Sequence, residues 1–142
     1  MTRRTLLPAL LLPLFLAAQQ PIPESEIVAP ADVAAHVKDF KLIHVGFPVT
    51  YRLGHIPGSE LAGPASRPEG LELLKKAVAN LPRDRQIVLY CGCCPWDKCP
   101  NIRPALAALR AMGFTRVRAM SVPTNFKTDW TDKGYPVEKS LK

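Results

Sequence analysis

All four cysteines of this chain fall in one segment, Cys91-Gly92-Cys93-Cys94-Pro95-Trp96-Asp97-Lys98-Cys99. Thiols packed this closely suit three chemistries. An ionised thiol is a nucleophile that can carry a persulfide. A C-x-x-C pair, here Cys91 and Cys94, can exchange dithiol for disulfide. Four thiolates together can hold zinc or Cu(I). As plain structural cross-links the same residues would contribute little, because their spacing closes only small loops. For a single tetrahedral ion the spacing is cramped, and the separated C-x-x-C knuckles of a zinc site are missing. A phosphatase-type loop needs an arginine at a fixed distance after its cysteine. Those positions hold Asp97, Cys99, Pro100 and Ala105, which argues against that class.

The segment lies between two elements that must position it. Gln86-Ile87-Val88-Leu89-Tyr90 is apolar and β-branched, and reads as a buried strand. Ile102, Ala105, Leu106, Leu109 and Met112 recur at helical spacing, with Asn101 as the N-cap, Pro104 in the first turn and Gly113 as the C-terminal stop. In open α/β sheets, ligands bind at this edge, between a strand's end and a helix's start. The unpaired amides of the first turn should favour a thiolate, a persulfide or an oxyanion. Cys91, held by the strand, is the expected nucleophile and should have a lowered pKa. Cys93, Cys94 and Cys99 ride on the loop as resolving or alternative thiols. Lys98 and Arg103 are expected to bind an anionic substrate, partly offset by Asp97. Trp96 is expected to contact the substrate as well, as a lid over the thiols, or else to be a partner contact.

The remaining pattern is α/β. Ser25 to Val28 suits a short edge strand, and Asp32 suits an N-cap for a helix burying Val33, Val37 and Phe40. Lys41-Leu42-Ile43-His44-Val45 predicts a buried strand, with His44 as a satisfied core residue. Leu71, Leu74, Val78 and Leu81 predict an amphipathic helix ended by Pro82, and Arg116 to Met120 a last strand. A final short helix, 125–133, would carry Phe126 and Trp130 inward. Strands alternating with helices imply a mainly parallel sheet flanked by helices on both faces.

Several motifs resemble those of rhodanese-like domains. Gly54-His55-Ile56-Pro57-Gly58-Ser59 is similar to that family's GHIPGA turn, where His55 reads as structural. Ile87-Val88-Leu89-Tyr90-Cys91 resembles its active-site strand, and Ala111-Met112-Gly113-Phe114 and Gly134-Tyr135-Pro136-Val137 resemble its later segments. Order and spacing agree over about 25–138. The resemblance implies a five-stranded sheet and a persulfide on Cys91, formed from a small anionic sulfur donor such as thiosulfate and passed to a thiol or cyanide acceptor, with no cofactor. Two departures stand out. The family's Asp-x-Arg after the early strand is replaced by His44 and Gly46, and the cysteine loop is longer than usual, with no arginine in register. The competing readings are a Zn or Cu(I) module built from Cys91, Cys93, Cys94 and Cys99, and a thiol–disulfide oxidoreductase using Cys91 and Cys94.

The N-terminus, with Arg3 and Arg4 followed by the apolar run from Leu6 to Ala18, predicts a signal peptide over 1–18, a linker over 19–24 and the domain over 25–142. The start Thr2-Arg3-Arg4-Thr5-Leu6-Leu7 also resembles a twin-arginine signal, so an exported, periplasmic or secreted protein is expected. Removing 1–18 takes two arginines and no acids, which lowers the net charge from +7 to +5. The remaining basic residues are scattered without interleaved aromatics, against a nucleic-acid surface. No apolar run reaches the length of a membrane span.

Overall fold

The computed structural model describes residues 20–140, so the signal peptide expected over 1–18 lies outside the described residues. Its centre is a five-stranded, all-parallel sheet: β1 (Ile27–Val28), β2 (Lys41–His44), β3 (Glu60–Leu61), β4 (Ile87–Tyr90) and β5 (Val117–Met120), in the order β1-β5-β4-β2-β3. All four residues of β4 are buried, as befits a strand covered on both faces. Ile43 pairs with Leu89, and Leu89 with Ala119, so β4 runs between β2 and β5.

Side-chain alternation along β4 separates two cores. Ile87, Leu89 and Cys91 face α3 (Pro68–Val78) and α4 (Ile102–Ala111), together with Leu74, Val78, Leu106 and Leu109. Val88 and Tyr90 face α1 (Pro30–Ala35) and α5 (Phe126–Asp129), together with Val33, Met120, Phe126 and Trp130. The aromatic side of this second core is a stack, Tyr90 on Phe126 and Phe126 on Trp130, with ring centroids 5.7 and 5.9 Å apart. Among the described residues, no helix is long and apolar enough to cross a membrane.

Two local expectations change. The first helix starts at Pro30, with Ala29 as its N-cap, so Asp32 lies inside the first turn and favours it through the helix dipole instead of capping it. The helix after the cysteine loop begins behind Asn101 as expected, but Asn101 has αR backbone angles and makes no side-chain cap. Gly113, at φ +86°, ends that helix as anticipated, with its amide on Arg110 O and that of Phe114 on Leu109 O.

The topology dictates where a site can form. From β2 the chain moves outward to β3, whereas from β4 it moves the other way to β5. The strand order therefore reverses between β2 and β4, and the crevice at their carboxyl ends is the switch point at which open α/β sheets bind ligands. Gly46 follows β2 there and Cys91 follows β4.

Candidate active site

Cys91 is only 3% exposed, its backbone fixed by β4 and its side chain turned towards α4. Asn101, fully buried, meets it from the start of that helix. Ser66 N–H donates to Asn101 Oδ1 at 2.9 Å, which fixes the orientation of the amide, and Nδ2 donates to Cys91 Sγ at 3.8 Å. The residue expected as a helix cap is therefore a hydrogen-bond donor to the thiol. Its place ten residues after Cys91, at a helix start, was visible in the sequence, but its burial and its direction, set by the Ser66 amide, were not.

The four cysteines are free thiols and form a chain of contacts. Cys91 Sγ lies 3.6 Å from Cys93 Sγ, and Cys93 Sγ lies 3.4 Å from Cys94 Sγ. Cys93 is exposed, whereas Cys99 is buried beside Cys91. The expected lowering of the Cys91 pKa is not found. The interaction with Cys99, to which the Cys91 S–H donates, and burial both push Cys91 well above the ordinary thiol range. Cys99 is lowered to about 6 by that same S–H, against burial, and further by the backbone amides of Asn101 and Ile102. The helix amides thus serve Cys99, which lies two residues before the first of them, and the buried pair loses one proton well before the other. Burial and the Cys93 thiol raise Cys94 to about 12.

Lys98 and Arg103 do not crowd the buried thiol. Lys98 is exposed, and Arg103 donates to Gln20 O. Both line an open groove of about 620 Å³ that also includes Cys99, Pro100 and Asp97. Trp96 is half-buried against both cores and its amide donates to Val122 O at 2.9 Å, so it anchors the loop to the chain beyond β5. Among the described residues, no three His, Cys, Asp or Glu side chains converge so as to hold a metal ion.

On the other side of the loop, Gly46 N–H donates to His44 Nδ1 at 3.2 Å, which puts the ring proton on Nε2, 3.3 Å from Thr50 Oγ1; Thr50 donates in turn to Phe47 O at 2.7 Å. His44 is thus a satisfied, buried residue that braces the turn where the family's Asp-x-Arg would stand. Burial, reinforced by His55, lowers its pKa from 6.5 to about 4. The unfolded chain takes up this proton before the folded chain does. The resulting stabilisation is complete above about pH 6.5 and is lost as pH falls towards 4, about 3 kcal/mol in all. His44→Asn should flatten this part of the stability–pH curve, read as urea midpoints across that window; an unchanged slope would mean that His44 is not held neutral.

His55 is structural as expected. It stacks on Tyr51 with centroids 3.8 Å apart, its Nδ1 bonds Tyr51 O at 2.9 Å, and its backbone pairs with Glu138. Tyr90, at the end of β4, ties this turn to the site: Ile56 N–H donates to its hydroxyl at 3.0 Å, and Ser59 Oγ lies 2.7 Å from it.

A buried cysteine at the switch point of an open parallel sheet, with an amide donor on its sulfur, defines a thiol-centred α/β domain. The chain belongs to the rhodanese-like family: the model of the Rhodanese-like domain matches residues 29–121. Solved structures share the fold. The BH2092 protein from Bacillus halodurans is 21% identical, with a TM-score of 0.63 over 82% of this chain and 79% of its own. The Alr3790 protein from Anabaena sp. is 20% identical, with a TM-score of 0.62 over 81% of this chain and 94% of its own. Thiosulfate sulfurtransferase from Pseudomonas aeruginosa is 19% identical, with a TM-score of 0.59 over 82% of this chain but only 20% of its own length. No curated protein matches the sequence.

Proposed function

We propose that this domain is a sulfurtransferase that carries sulfane sulfur on Cys91. The observation that supports this most directly is the Asn101 Nδ2 donor on the Cys91 sulfur at the switch point, since such a donor favours a thiolate or persulfide anion over a neutral thiol. Cys99 lies beside it, and the two buried thiols share one negative charge between them. The Cys91 thiolate attacks the outer sulfur of thiosulfate, the sulfur–sulfur bond of the donor breaks, and sulfite leaves with the bonding pair. A thiol or cyanide acceptor then takes the outer sulfur and restores the thiolate. The groove holding Lys98 and Arg103 supplies positive potential for the incoming dianion. The basic and apolar N-terminus supports an exported setting for this activity.

A second reading places the persulfide on Cys99, favoured because that thiol ionises first and lines the basic groove. One experiment tests both. Fully reduced protein mixed with thiosulfate should release one sulfite per chain in a burst, and acid-quenched samples at early times should show one added sulfur that a reductant removes. Peptide mapping should locate that sulfur on Cys91; finding it on Cys99 selects the second reading, and no burst overturns both.

A further inference from the structure

The persulfide assigned to Cys91 would form where almost no solvent reaches, yet its neighbour two residues on is exposed. Cys93 Sγ lies 3.6 Å from Cys91 Sγ, the van der Waals contact of two sulfurs, with only Gly92 between them. Both flanks of this short bend are pinned: Cys91 by β4, and Trp96 by its amide on Val122 O. Cys94 contacts Cys93, and Cys99 is buried, where an external reductant does not reach it.

We propose that Cys93 resolves the Cys91 persulfide, so that the domain reduces sulfane sulfur to hydrosulfide; this rests on the Cys91 reading above. The Cys93 thiolate attacks Cys91 Sγ, the bond from Cys91 to the outer sulfur breaks, and that sulfur leaves as hydrosulfide with the bonding pair and its own proton. Counted over both steps, the sulfane sulfur gains two electrons, the two cysteine sulfurs lose one each, and a Cys91–Cys93 disulfide remains. An external dithiol reductant closes the cycle by attacking the exposed Cys93 sulfur, which frees Cys91. Exposure of the attacked sulfur, and the strain of a disulfide that spans a single residue, both favour this reduction.

The test is one turnover of fully reduced protein with thiosulfate and no added reductant, following sulfite, hydrosulfide and intact mass. The wild type should release sulfite first and hydrosulfide second, and end at the mass of the reduced chain less two hydrogens, with the disulfide mapped to Cys91 and Cys93. Cys93→Ser should keep the sulfite burst and hold the added sulfur, with hydrosulfide release slowed at least about a hundredfold, because an intramolecular thiol has been lost. Cys94→Ser should behave as the wild type. A wild type that releases sulfite and keeps its added sulfur overturns this proposal alone, as does Cys93→Ser releasing hydrosulfide at the wild-type rate. A wild type with no sulfite burst overturns the sulfurtransferase reading as well.

Discussion

Cys91→Ser should lower the sulfite burst at least about a thousandfold, because a serine hydroxyl does not ionise near neutral pH and cannot carry sulfane sulfur. The fold should tolerate the change. The serine oxygen, on a shorter bond, draws away from Asn101 Nδ2, which already lies 3.8 Å from Cys91 Sγ, so the expected stability change is about 1–3 kcal/mol. A second consequence separates the roles of the two buried thiols. The Cys91 S–H is the leading cause of the low pKa of Cys99, ahead of the Asn101 and Ile102 amides. A serine hydroxyl is smaller and sits further from its neighbour, so the Cys99 titration should move up from about 6, read as thiolate absorbance in the ultraviolet against pH. In the wild type the burst rate should rise as pH passes through that same value and then level off, since the buried pair must lose its first proton before a Cys91 thiolate can form. A burst that survives in Cys91→Ser would transfer the carrier role to Cys99.

The strand, the GHIPGS-type turn and the helix behind the loop were legible because each is local. β4 is a run of apolar residues buried on both sides, and Gly113 closes α4 through its own positive φ. The all-parallel order follows from alternation of strands and helices, and the switch point follows from the order. What the sequence does not carry is direction in space. Asn101 precedes a helix, which makes it a natural cap, yet the Ser66 amide takes its oxygen and turns its nitrogen to Cys91. The helix amides were expected to serve Cys91, but chain geometry gives them to Cys99, the nearest sulfur in sequence. Lys98 and Arg103 belong to a groove outside α4, since Arg103 is drawn to Gln20 on the N-terminal segment, and no sequence pattern announces that contact. His44 and Gly46 were visible as departures from the family pair. Their function, bracing a turn beside the thiol, required the hydrogen bond between them.

Gly46→Ala should nearly abolish sulfur uptake, for a reason of space instead of backbone freedom. A Cβ at position 46 would lie 2.7 Å from Cys91 Sγ and 2.9 Å from His44 Cε1, closer than real Cβ contacts come. Neither neighbour is a flexible chain end. His44 is held by the Gly46 amide and by Thr50, and Cys91 has a single rotatable bond from a backbone that β4 fixes. The added methyl must therefore turn the thiol off its Asn101 donor, or drive His44 off the Gly46 amide, or both. Overpacking of this kind costs about 1–3 kcal/mol of stability. The loss in burst rate should be larger, about a hundredfold or more, because a sulfur displaced by even an ångström leaves its amide donor and its partner thiol together. Gly58→Ala is the control. Its Cβ would meet nothing within 4 Å, and its φ of +77° makes the substitution costly only through backbone strain, about 1 kcal/mol. The two variants should therefore unfold at similar urea concentrations while only Gly46→Ala loses the burst. Equal bursts in the two would show that the thiol does not depend on the gap that Gly46 leaves beside it.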